Sequence, residues 1–188
     1  MTHTPNDSED DAALLARIGA GDEAAMKVIY DRYAGPLRFF VRTWLSDEHE
    51  GGDVVHEAML AVWTQATRFE GRSSAKSWIF GIARNKAIDR VRATSRMVPT
   101  EPEHFDDADE SQDLQHDLEA MQDAAVVREC VEALGEAHRR AVHLAFFEDM
   151  AYRDIADVEG CPVGTIKTRI LHAKRLIVRC VSLKRRGA

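Results

Sequence analysis

Apolar residues recur at spacings of three and four along most of the chain, and no alternating β-branched run persists beyond a few residues, so the pattern predicts an all-helical protein. Leu14, Leu15 and Ile18 open a first helix that Gly19 and Gly21 should end. "DEAAMKVIYDRYAGPLRFFVRTWL" starts from an Asp at the cap position, with Gly35 and Pro36 marking a break or kink. A third helix is expected after a turn at "SDEHEGG". It offers Val54, Ala58, Ala61 and Val62 to a core and carries Asp53 and Glu57 one turn apart near its amino end, where carboxylates suit the helix dipole. A fourth follows the polar loop "EGRSS", with Ser73 or Ser74 as its cap, and runs to about Ser95.

Beyond a long polar stretch, "VVRECVEAL" and "EAHRRAVHLAFFEDM" predict two more helices with Leu134, Val142, Ala145 and Phe146 as core. "YRDIADVEGCPVGTIKTRILHAKRL" then reads as two short amphipathic helices around a tight turn, with Gly160 stopping the first and Pro162 starting the second. In the second, Val163, Ile166, Ile170, Ala173 and Ile177 form one buried stripe, while Gly164, Thr168, Leu171, His172 and Arg175 project opposite it and Lys167 and Arg169 flank them. That fits a helix-turn-helix whose second helix enters a major groove, although basic amphipathic helices also bind membranes or acidic partners.

Charge sharpens this picture. The formal net charge of −7 conceals alternating blocks. Residues 67–97 hold eight basic against two acidic side chains, and residues 152–188 hold nine against three. Residues 98–125 hold ten acidic and no basic ones, start with two prolines, and read as a linker, the alternative being an acidic loop within one domain. Such a segment is repelled by phosphate, so the basic blocks on either side are the candidates for touching DNA. In the first basic block Trp78, Asn85, Arg92 and Arg96 fall close to one line of the helix, away from Ile79, Ala83 and Ala87. They suit a surface where guanidinium groups hold phosphates and an amide and aromatics meet exposed bases; Trp78 alone can equally pack at the edge of the core.

Cys130, Cys161 and Cys180 are odd in number, widely spaced and form no C-x-x-C, so reduced thiols are expected and no zinc site is indicated. His138 and His143 are spaced poorly for a shared metal. No cofactor is implied, no P-loop or zinc signature appears, and an enzyme is not expected. No apolar run spans a membrane and the amino-terminal residues are polar and acidic, so a cytoplasmic location without membrane insertion is expected.

Two blocks together resemble the extracytoplasmic-function sigma factors of bacterial RNA polymerase. "DVVHEAMLAVWTQATRFEGRSSAKSWIFGIARNKAIDRVR" is similar to conserved region 2, and "LGEAHRRAVHLAFFEDMAYRDIADVEGCPVGTIKTRILHAKRL" to region 4. The resemblance implies two small helical domains, residues 1–97 (region 2) and 126–188 (region 4), joined by the acidic linker 98–125. It implies that Asp53 and Glu57 dock on the core polymerase. It further implies that Gly71, Arg72, Ser73, Ser74 and Asn85 meet the minus-ten element, beside Trp78, Arg92 and Arg96 of the basic helix. Lys167, Thr168, Leu171 and His172 would read the minus-thirty-five element while Arg169 and Arg175 hold phosphates. An anti-sigma factor is the expected controlling partner. Ala151 stands where such proteins often have a Ser or Thr cap, and Glu159 interrupts an apolar stripe. A repressor or activator with a terminal helix-turn-helix is the competing reading, but it gives the basic block at 67–97 no task.

Overall fold

The computed structural model describes residues 10–45, 47–94 and 124–186. They form eight α-helices and no strand: α1 (Asp11–Gly19), α2 (Glu23–Val41), α3 (Glu48–Gln65), α4 (Ala75–Thr94), α5 (Ala124–Glu132), α6 (Glu136–Val142), α7 (Tyr152–Glu159) and α8 (Val163–Arg186). Most of the acidic stretch, and Arg96, lie outside the described residues, but Ala124 and Ala125 already belong to α5.

Carboxylates at the helix starts fix the front half. Asp22 accepts from the N–H groups of Ala24 and Ala25 and from the Arg17 guanidinium at 2.7 Å, so the end of α1 is tied to the start of α2. The Arg17 contact and the two amides hold its carboxyl below the usual range. Gly21, at φ +88°, makes the intervening turn. Asp11 reaches across to Arg32 and Tyr33 of α2, and burial together with that carboxylate pushes the Tyr33 phenol up.

Three sequence expectations change, two of them in this half. The expected turn at 46–52 is largely helical: Asp47 accepts from the N–H groups of His49 and Glu50 at 2.7 and 3.1 Å, so α3 begins at Glu48 and takes in Gly51 and Gly52. A well-made cap with acids in the first turn offsets the roughly 1 kcal/mol that each glycine costs. Gly35 and Pro36 do not end α2, because Ile29, Tyr33, Leu37 and Phe40 are all buried along it and packing overrides the local breaker. The thiols of Cys130 and Cys180 are joined as a disulfide across α5 and α8, with Cα atoms 5.8 Å apart. Fifty residues of separation hide that pairing from any reading of spacing.

The main hydrophobic cluster runs from Leu14, Leu15, Leu37, Phe40, Val54, Val62, Ile79 and Phe80 through to Leu144, Ile155, Val158, Ile166 and Ile170, so both halves of the chain share it. Phe40 meets Phe80 and Trp44 edge-on at 5.2 and 4.8 Å. A second, smaller cluster holds α5 and α6 on α8 through Cys130, Val131, Leu134, Val142, Ala173, Ile177 and Val181. Phe146, expected in the core, is 47% exposed instead. The turn His143–Phe147 is wound as a π-helix, which advances fewer degrees per residue than an α-helix and so brings His143 and Leu144 inward and swings Phe146 out. Val163 is likewise exposed at the first residue of α8; Ile166, Ile170, Ala173, Ile177 and, one turn further, Val181 form the buried stripe.

Candidate nucleic-acid interface

Two polar surfaces flank this shared core. The first is the loop from Phe69 to Ser74 leading into α4. Gly71 sits there at φ +69°, a left-handed conformation that favours glycine. Arg72 is exposed and ion-paired with Glu70, Ser73 is half-buried, and the Ser74 hydroxyl accepts from the Ser77 N–H at 3.1 Å, capping α4. Trp78 is half-buried, its ring 5.6 Å from that of Phe69, where it forms the floor of the loop and the edge of the core at once. Asn85 is exposed two turns further along, and Arg92 beyond it is exposed beside Asp89. Ile79, Phe80, Ala83 and Ala87 anchor the opposite side of the helix.

The second surface is the outward side of α8. Gly160 ends α7 at φ +65°, and α8 starts after Pro162. Lys167 is exposed; Thr168, Leu171, His172 and Arg175 are half-buried. The Thr168 hydroxyl donates to the Gly164 carbonyl at 3.0 Å, which leaves its lone pairs outward. The His172 ring lies 6.4 Å from that of His138 on α6. Arg169 does not extend with its neighbours: it folds back to Glu159 at 3.5 Å and to the Cys161 sulfur at 4.0 Å.

The acidic pair on α3 divides. Asp53 is exposed and borders an open cleft of about 590 Å³ walled by Arg38 and Phe39 of α2 and by Glu48 and His49. Glu57 instead pairs with Arg90 at 2.6 Å and faces Lys86 at 3.9 Å, so part of its charge serves the α3–α4 contact. Leu60, one turn beyond and 58% exposed, adds an apolar group to that face which the sequence reading passed over.

The most consequential residues missed from sequence are those that join the two surfaces. Ser74 donates to the Asp154 carboxylate of α7 at 3.0 Å, and the Ser77 hydroxyl donates to the Asp154 carbonyl at 3.2 Å. Lys76 pairs with Glu148 at 3.0 Å. Arg84 donates to the Glu159 carbonyl at 2.9 Å, under the turn that opens α8. Glu159, its side chain 2% exposed, is neutralised by Arg140 at 3.2 Å and by Arg169, and the Arg140 guanidinium lies 4.2 Å over the ring of Trp44. His143 stacks on Phe39 of α2 at 4.4 Å, and burial holds its pKa down to about 4. The one available signal was Glu159 itself, an acid in an apolar stripe, which demands nearby cations.

Among the described residues no helix is long and apolar enough to cross a membrane, and no group of three or more His, Cys, Asp or Glu is placed to hold a metal ion. Residues 29–97 match the family description Sigma-70 region 2, and residues 124–177 match Sigma-70, region 4. The chain is 33% identical to the ECF RNA polymerase sigma factor RpoE of Cereibacter sphaeroides, over 88% of this chain and 91% of that one. It is 30% identical to the RNA polymerase sigma-H factor of Pseudomonas aeruginosa, over 90% and 92%. Its fold matches that of the sigma factor RpoE from Bartonella quintana in complex with the anti-sigma factor NepR, with a TM-score of 0.58 at 23% identity, covering 83% of this chain and 96% of that one.

Proposed function

The chain belongs to the sigma-70 family, in its extracytoplasmic-function group, and from that premise we propose that it is a dissociable initiation subunit that binds core RNA polymerase in the cytoplasm, directs it to two-element promoters and assists their melting. It does no covalent chemistry; bond formation belongs to the polymerase. The observation that carries this reading is the order of the two matched segments, one on each side of the acidic stretch, each presenting a basic helix. Region 2 spans residues 1–97 and region 4 residues 126–188 in this reading, with residues 98–125 between them kept off DNA by their charge.

The roles divide by chemistry. Asp53, with Glu57 partly held by α4, meets basic groups on the polymerase, and Leu60 extends that contact with an apolar group. The loop Gly71, Arg72, Ser73 and Ser74, with Trp78 beneath and Asn85 alongside, takes unpaired bases of the minus-ten element, while Arg92 and Arg96 hold phosphates. Lys167, Thr168, Leu171 and His172 read the minus-thirty-five element: Lys167 donates to guanine or phosphate, and Leu171 suits a thymine methyl. Arg175 holds phosphate, and Arg169 does so only after leaving Glu159. The similarity to a sigma factor solved with an anti-sigma factor supports a protein of that kind as the controlling partner.

Reconstituted transcription with core polymerase on genomic fragments tests the reading; absence of specific initiation under conditions where another sigma factor works refutes it. Within that assay Lys167→Ala and Leu171→Ala each weaken use of the upstream element by about 5- to 150-fold, the equivalent of roughly 1–3 kcal/mol per base contact. Asn85→Ala impairs opening and leaves duplex binding in place. The same defect in all three variants would refute this division of roles.

A further inference from the structure

The Cys130–Cys180 bond is used by none of the roles above. It fastens α5 to the second half of α8. Besides the bond, α5 is held by Val126, Val127 and Val131 against Ala173, Ile177 and Val181, by an ion pair between Glu129 and Lys184, and at its end by Arg139 of α6, which donates to the Glu132 carbonyl at 2.9 Å. Ala173 and Ile177 occupy the same turns of α8 that present Leu171, His172 and Arg175 on the other side, so whatever steadies α5 also steadies the outward face.

The two sulfurs differ in access. Cys130 is 1% exposed, whereas Cys180 is only half-buried and has Arg179 beside it and Lys184 one turn on. The thiolate is the reactive form, and the half-buried sulfur is the one that a small reagent reaches first. Cys161 lies in the α7–α8 turn, where burial pushes its thiol up, and it is a free thiol.

We propose that Cys130 and Cys180 form a reversible thiol–disulfide site that sets how firmly α5 is fastened to the recognition helix, and that the oxidised form supports promoter-specific initiation more strongly than the dithiol. The second clause rests on the initiation-subunit reading; the first does not. The oxidant is a low-molecular-weight disulfide of the glutathione class. Cys180, deprotonated, attacks one of its sulfurs and releases a thiolate that takes up that proton. Cys130 then loses its proton and attacks the Cys180 sulfur of the mixed disulfide, releasing the second small thiol. Two protein thiols are oxidised, one small disulfide is reduced to two thiols, and no net proton is consumed.

Aliquots of the full chain, equilibrated in glutathione buffers from fully reduced to fully oxidised, are acid-quenched and labelled with a mass-adding maleimide in denaturant, which exposes Cys130, or melted, or assayed for transcription with core polymerase. Three reactive thiols fall to one as the buffer becomes oxidising, the melting temperature rises by on the order of 10 °C, and specific transcript rises severalfold. Cys161→Ser keeps all three responses, while Cys130→Ala and Cys180→Ala lose them. The comparison of wild type with itself in the two buffers stands even if a variant folds poorly. Three reactive thiols at every ratio, or a closed bond with unchanged melting or unchanged transcript, overturns the proposal. Absence of transcript in both buffers counts against the initiation reading, and thiol counting and melting then still decide whether the site exists.

Discussion

Glu159 is a carboxylate with 2% side-chain exposure, a state that survives only with cations around it. Arg140 and Arg169 supply them, and Arg84 from the other half of the chain takes the carbonyl of the same residue. Removing one partner of such a group leaves the other charges buried and uncompensated, so Glu159→Ala is expected to cost about 3–5 kcal/mol in chemical denaturation, and Glu159→Gln less. The acid was legible as a break in an apolar stripe; its partners were not, since Arg84 lies 75 residues upstream. His143 gives the pH dependence. Its folded pKa of about 4 is below the ordinary value of 6.5, so the unfolded chain binds more protons as pH falls between these values, and stability is complete above about pH 6.5 and declines toward pH 4. Glu148 at 3.6 Å and Lys76 face the same site from the following turn and from α4. A melting series over that range is expected to show a shallower acid decline for His143→Phe than for wild type.

At the scale of the element, α7 starts without help. Ala151 has the extended backbone of an N-cap (φ −62°, ψ 145°) but makes no side-chain cap bond. Ala151→Ser is expected to stabilise the protein by about 1 kcal/mol, read as a raised denaturation midpoint. Most helices were legible from period and caps, as at Asp22 and Gly160, where one side chain or one glycine decides the local geometry. The failures share a cause. Nothing in the sequence marks His143–Phe147 as wound more widely than a period of 3.6, and at 35–36 and 51–52 caps and buried neighbours outweigh the local glycine and proline signals.

For the whole molecule, the alternation of charge was legible because it is written along the chain, whereas the contact between the halves was not, because no local pattern encodes it. Ser74, Lys76, Ser77 and Arg84 of the loop and helix proposed to meet the minus-ten element are engaged by Asp154, Glu148 and Glu159. Replacing both acids that hold the rim, Asp154→Ala with Glu148→Gln, is expected to enlarge the radius seen by small-angle scattering and to tighten binding of a minus-ten single strand. An unchanged radius would show that the shared core alone sets the arrangement.

The packing of α4 against α7 also has a meaning in ångströms. A compact chain of 188 residues has a radius of gyration of about 16 Å, while elements named minus ten and minus thirty-five are about 25 base pairs, roughly 85 Å, apart along a straight duplex. No single packed body of that size touches both. Residues 95–123 can reach at most about 95 Å at roughly 3.3 Å per residue. The chain between the halves is thus just long enough for α4 and α8 to part and reach the two promoter elements proposed for them.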